Sequence, residues 1–298
     1  MCGRFCCTLD PSTLQSKLHQ EKVVDQSDTQ WSDDSDKYQS SYNCSPWQYI
    51  PTLLEHKQSH KKTLMPMRWG FIASWMKQHS YQRPINARSE TLIGNQHGLF
   101  QESKNLYRCI IIAEGFYEWN KQKQPFYIKR KDGHLMLFAG LYATSTVEGE
   151  TVTTCAIVTT EPGHCEFSKI HNRVPVILDP KDVDVWINSQ QRFTNHIQEV
   201  LKPFEGELDI YRVSTEVNST KPNSPNLITP LDQKKDSISR FLKPSTVQDE
   251  SNKYVPEVDR KPKPTLDQKK RKGSVDDHSK NAKTAKITQF FNKSSSSK

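Results

Sequence analysis

Arg108-Cys109-Ile110-Ile111-Ile112-Ala113, running directly into Glu114-Gly115-Phe116-Tyr117-Glu118-Trp119, is the stretch on which the fold turns. The β-branched run is long enough for a buried strand. It delivers a carboxylate, Glu118, into the company of Phe116, Tyr117 and Trp119. Such a partly desolvated group suits general acid–base chemistry. The alternative is that the strand has ended and Glu118 faces water.

Working outward, Phe126 to Arg130 and Leu135 to Leu141 flank Lys131-Asp132-Gly133, a hairpin signal. Cys155 to Thr160 reads as a further strand, and Leu64 to Trp75 as an apolar, aromatic block containing Met67-Arg68-Trp69-Gly70. Helices are expected where Asp10 caps Pro11 ahead of Leu14 and Leu18, after the block Pro84 to Thr91 as far as about Glu102, after Asp179-Pro180 through Trp186, and from Asn195 to Leu201. Residues 19–41 are polar and acidic and read as an exposed loop or insertion. Strands and helices alternate without a βαβ period. The expected class is α+β, with a largely antiparallel, barrel-like sheet and flanking helices.

The pattern dissolves near residue 233, dividing the chain into a folded domain, 1–232, and a disordered tail, 233–298, too poor in apolar residues to offset ordering entropy. The net charge of +8 belongs to that tail, where 17 Lys/Arg face 8 Asp/Glu, whereas the domain holds 25 against 26. A polyanion must therefore be met by a local patch, with Lys57, Lys61, Lys62, Arg68, Lys77, Arg83, Arg88 and Arg173 as candidates. Without an apolar run of about 18 residues or a secretory segment, neither a membrane span nor export is expected. Seven scattered cysteines have no paired zinc spacing, and a reducing compartment is the simplest reading. No metal and no cofactor are called for.

At the start stands Met1-Cys2-Gly3-Arg4-Phe5. Cys2 is small enough to permit removal of Met1, and a terminal cysteine carries thiol and amine on adjacent carbons. Such an aminothiol condenses with an aldehyde to an imine, and sulfur then closes a thiazolidine ring. The plainer alternative is a cysteine that merely follows the initiator. His171, ahead of Arg173 and Pro175, is either a surface histidine or a second proton-transfer group. Arg88 and Arg173 are either surface cations or a phosphate clamp.

Together these blocks, with Tyr42-Asn43 before Pro46, Asn86-Ala87-Arg88-Ser89-Glu90-Thr91, Gly115-Phe116-Tyr117-Glu118-Trp119 and His171-Asn172-Arg173-Val174-Pro175, resemble the SRAP (SOS-response-associated peptidase) family. The resemblance implies a monomeric covalent sensor of abasic sites in single-stranded DNA. In that reading Cys2, Asn86, Glu118 and His171 are catalytic, while Arg4, Asn43, Trp69, Arg88, Trp119 and Arg173 hold DNA. Glu118 moves protons, Asn86 holds the terminus and His171 assists imine formation. Self-removal of Met1 by a cysteine autopeptidase, and non-covalent binding of modified DNA, are the other activities considered. In the tail, Thr284-Ala285-Lys286-Ile287-Thr288-Gln289-Phe290-Phe291 resembles a PCNA-interacting peptide, with Ile287, Phe290 and Phe291 as anchors. With the basic run at 269–272, this implies a nuclear site of action at replication forks.

Overall fold

The computed structural model describes residues 2–25, 29–77, 83–94, 98–163 and 166–232. Residues 233–298, with the clamp-like peptide, its anchors Ile287, Phe290 and Phe291, and the basic run, lie outside the described residues.

The strands are β1 (Phe5–Cys7), β2 (Gln30–Trp31), β3 (Ser41–Cys44), β4 (Tyr49–Glu55), β5 (Lys62–Trp69), β6 (Asn86–Arg88), β7 (Arg108–Ala113), β8 (Gly115–Trp119), β9 (Pro125–Arg130), β10 (Met136–Val147), β11 (Glu150–Thr160), β12 (Val174–Pro175) and β13 (Leu208–Arg212). The helices are α1 (Pro11–Gln20), α2 (Ser89–Ile93), α3 (Gln101–Leu106), α4 (Pro180–Ile187) and α5 (Asn195–Gln198). α1 starts where Asp10 accepts the backbone N–H groups of Ser12 and Thr13, and it buries Leu14 and Leu18. No helix among the described residues is long and apolar enough to cross a membrane.

Five strands close a barrel in the order β7-β4-β5-β11-β10 and back to β7; every pairing is antiparallel except β5 with β11. A second sheet runs β13-β9-β8-β1-β3. The expected class, mixed α+β with a largely antiparallel barrel-like sheet, is the one observed. β7 is buried along its whole length, as its β-branched run requires.

The chain passes from barrel to second sheet within one residue. Ala113 pairs with Met136 in the barrel and Gly115 with Cys6 in the second sheet. Between them, the Glu114 N–H donates to the Cys6 carbonyl at 2.8 Å, and Glu114 Oε2 accepts from the Thr8 hydroxyl at 2.7 Å. A seam of rings joins the two layers: Phe5 of β1 lies 5.2 Å from Trp69 of β5 and 6.4 Å from Phe138 of β10, which in turn lies 6.0 Å from Phe116 of β8.

Three expectations are corrected. The turn at Lys131-Asp132-Gly133 exists, with Gly133 at φ +77°, but its flanking strands do not pair. β9 joins β8 and β13, whereas β10 joins β7 and β11, so this turn is a second crossing between sheets. Segment 19–41 is not simply exposed: Val23, Val24, Thr29 and Tyr38 are buried, and the Tyr38 hydroxyl donates to the Leu9 carbonyl at 2.9 Å. Its few apolar side chains are enough to pin it down. The single helix expected after Thr91 is instead two short ones, α2, which already starts at Ser89, and α3.

The crossing at Gly115 leaves no room for a side chain. A Cβ there would sit 2.5 Å from the Tyr127 ring and 2.7 Å from the Ile128 carbonyl. Gly115→Ala is expected to destabilise the domain by about 1–3 kcal/mol, the usual range for overpacking. Urea unfolding checks this, and an unchanged midpoint would contradict it.

Candidate active site and nucleic-acid interface

β1 is an inner strand, paired with β8 on one edge and β3 on the other. The Tyr117 N–H donates to the Arg4 carbonyl at 2.9 Å, which continues the β1–β8 ladder toward the N-terminus. In that register Glu118 faces position 3, beside Cys2. Cys2 is fully buried and Glu118 is 4% exposed. Burial, with the nearby Glu118 carboxylate adding to it, pushes the Cys2 thiol well above its ordinary range. Glu118 Oε1 accepts from the Trp119 N–H at 3.2 Å.

Asn86 reaches this place through a detour in the chain. β5 runs along one edge of β11 as far as Trp69 opposite Cys155, leaves, and returns as β6 on the same edge, with Asn86 opposite Ile157. The Ile85 carbonyl anchors the return, accepting from the Trp69 indole at 3.0 Å and from the Ile157 N–H at 3.0 Å. Asn86 Nδ2 then donates to the Cys2 carbonyl at 3.0 Å.

Two residues on, Arg88 is exposed at the mouth of a pocket of about 700 Å³, which His171 and Arg173 also line. The Arg173 N–H donates to His171 Nδ1 at 3.0 Å, and the same ring nitrogen lies 3.2 Å from the Arg173 carbonyl oxygen. Arg173, expected as a phosphate clamp, is 8% exposed and forks onto Glu90 at 2.7 and 2.9 Å while donating to the Thr159 carbonyl at 2.6 Å. Its charge is already matched, so in this geometry it braces the His171 loop, and Arg88 is the cation presented to solvent. Burial alone would raise the Glu90 carboxyl, but the hydrogen bonds from Arg173 and the backbone outweigh it and hold the group below its usual range.

The remaining expected DNA contacts divide in the same way. Trp69, expected to pack on sugar or base, has no exposed surface and is core. Phe5 covers its ring and its N–H is taken, so Trp69 cannot reach DNA in this arrangement. Asn43 is 1% exposed; its Oδ1 accepts from Arg4 at 2.7 Å and its Nδ2 donates to the Ser219 and Pro222 carbonyls. Arg4 also donates to the Val217 carbonyl at 2.9 Å, which ties β1 to the segment after β13. Trp119 is half-buried, with its N–H on Asn218 Oδ1 at 2.7 Å and Arg4 6.0 Å from its ring. Glu90, the partner that decides what Arg173 does, was not singled out from sequence, because nothing in its spacing connects it to a residue 83 positions away.

A family model described as SOS response associated peptidase (SRAP) matches residues 1–220. The chain belongs to this family. It is similar to the abasic site processing protein YoqW of Bacillus subtilis, 37% identical over 76% of this chain and 99% of the relative. Abasic site processing protein HMCES of Xenopus tropicalis is 31% identical, over 78% of each chain. Among solved structures, a protein from Bacteroides thetaiotaomicron, 22% identical, superposes with a TM-score of 0.64 over 77% of this chain and 99% of its own, and shares the fold.

A dry thiol held beside a carboxylate is protonated near neutrality and should be a poor target for alkylation. Iodoacetamide at neutral pH is expected to label Cys2 at least about tenfold more slowly in the native protein than in the urea-unfolded chain, as followed by peptide mass mapping. Equal rates would contradict the burial described.

Proposed function

We propose that this SRAP chain processes abasic sites in single-stranded DNA by covalent capture at Cys2 once Met1 has been removed. The observation that carries the reading is the placement of Cys2, with its carbonyl on Asn86 and its thiol beside Glu118. The substrate class is suggested by the relatives named abasic site processing proteins.

An abasic deoxyribose opens to an aldehyde at C1′. The Cys2 amine adds to that carbon, water leaves as the imine forms, and the thiol sulfur then adds to the same carbon, its proton passing to the nitrogen. The balance is aldehyde plus aminothiol giving thiazolidine and one water. Because the thiol is protonated at the outset, the amine acts first, and Glu118 is the base positioned to take protons in both steps. Effective molarities of about 10⁵–10⁸ M from holding the groups together make an unusually reactive thiol unnecessary. Arg88 offers its charge to a phosphate at the pocket mouth, and His171 assists departure of water. Removal of Met1 by the chain itself fits the same centre, since loss of that residue is what creates the amine.

Cys2→Ala and Cys2→Ser are both expected to abolish a stable adduct with an abasic oligonucleotide in denaturing gels and intact-mass spectra, while retaining non-covalent binding. A heat-stable Cys2→Ser adduct without added reductant would sink the thiazolidine. Glu118→Gln is expected to slow capture by about 10²–10⁴-fold with affinity little changed; an unaltered rate would make Glu118 structural. Tail anchoring to a sliding clamp through Ile287, Phe290 and Phe291, and with it a nuclear site of action, is proposed on sequence alone. A peptide spanning 284–291 should bind purified clamp in calorimetry, and a flat titration would remove this part of the reading.

A further inference from the structure

A second pocket, of about 410 Å³, takes one wall from residues 37–41, at the end of the polar segment that follows α1. Lys37, Gln39 and Ser41 form that wall, and Gln48, Arg68 and Asn223 face them. Its volume is that of an ordinary ligand site. Arg68 sits between two rings, 5.2 Å from Trp47 and 5.0 Å from Tyr49. Its Nε is buried without a hydrogen-bond partner, and no ion pair holds the guanidinium among the described residues. Lys37 adds charge near the Tyr49 ring, though Asp34 already compensates it at 2.8 Å.

The polar groups are donors too. Gln48 Oε1 accepts from the Ser45 N–H at 2.8 Å and Asn223 Oδ1 from the Tyr42 N–H at 2.8 Å, so each amide has its NH₂ left to give. The aromatic support is built at some conformational expense. Trp47 has φ +74°, unusual for so large a residue. Its ring lies against Gly70, where a Cβ would come within 3.3 Å, and the Trp47 N–H donates to the Trp69 carbonyl at 2.6 Å. Strain of this kind collects at functional sites. A cation aligned by two rings and surrounded by NH₂ donors, with no carboxylate in the lining, suits a phosphodiester together with the acceptor atoms of an unpaired base.

Its placement fits the same strand that Cys2 would capture. Ser41 pairs with Cys7, five positions along β1 from Cys2, which is about 16 Å at ~3.3 Å per residue. We propose that this pocket holds a nucleotide of the bound single strand a few positions from the lesion, with its phosphate on Arg68 and its base edge on the Gln48 and Asn223 amides. The proposal rests on the abasic-DNA reading for the identity of the strand, but it does not depend on the covalent chemistry.

The test uses the full chain carrying Cys2→Ala, so that no adduct forms, and an undamaged oligothymidylate followed by fluorescence anisotropy across a salt series. Adding Arg68→Gln is expected to weaken binding about tenfold and to lower the salt slope by about 0.7, the value for one phosphate contact on a single strand. Lys37→Gln, on an exposed side chain that cannot unfold the domain, is expected to weaken binding two- to threefold, or about that. Unchanged affinity and slope in both variants would overturn the pocket while leaving adduct formation by the unsubstituted protein, measured in parallel, to judge the covalent reading separately. Calorimetry with thymidine monophosphate separates the sources of the ligand. If the free nucleotide binds in an Arg68-dependent way but oligothymidylate affinity is indifferent to Arg68, the strand assignment is overturned.

Discussion

Phe5 is the fixed point of the molecule. It belongs to β1 in the second sheet, yet its ring packs on Trp69 and is edge-on to Phe138, both from barrel strands. Burying such a side chain contributes about 1.5–3 kcal/mol, and favourable ring pairs add about 0.5–1.5 kcal/mol each. The benefit is more than stability. A short strand near the end of a chain would ordinarily fray, but with Phe5 locked and Arg4 tied to the Asn43 side chain and the Val217 carbonyl, Cys2 stays in place.

That arrangement explains why the polar residues around Cys2 separate into those that build and those that can act. Trp69, Asn43 and Arg173 all sit within motifs that carry the family resemblance, and all three are largely buried and hydrogen-bonded to distant parts of the chain. They hold strands and loops in place. Asn86 combines both tasks: it is carried by a strand returning to β11, and its amide is the contact made to the Cys2 carbonyl. Arg88, exposed at the mouth of the larger pocket that His171 also lines, presents its charge to solvent.

The same buried setting governs the reactivity of Cys2. Withdrawn from water and placed beside a carboxylate, the Cys2 thiol holds its proton. A free thiolate would be exposed to oxidation and to stray electrophiles, whereas a protonated thiol is shielded from both. Under the covalent capture proposed above, selectivity for the lesion would come from needing two neighbouring nucleophiles and one carbon that both can reach.

Local chemistry was legible in the sequence because it is written in neighbouring residues. The β-branched run at 108–113 gave a buried strand, Asp10-Pro11 gave a capped helix with Leu14 and Leu18 inward, and Gly133 gave a turn. The run of motifs from Cys2 to Pro175 also gave the family, confirmed by the match over residues 1–220. What neighbouring residues could not say is which strand each strand would meet. Tertiary packing split the expected hairpin at 131–133 between two sheets, closed the barrel through the parallel pairing of β5 with β11, and pinned down segment 19–41 through Tyr38 and its buried neighbours. It also turned Trp69 inward and gave Arg173 to Glu90. The physical reason is that periodicity and capping are set over a few residues, whereas a side chain's charge partner or covering ring is supplied by chain that is distant in sequence and arrives only when the sheets close.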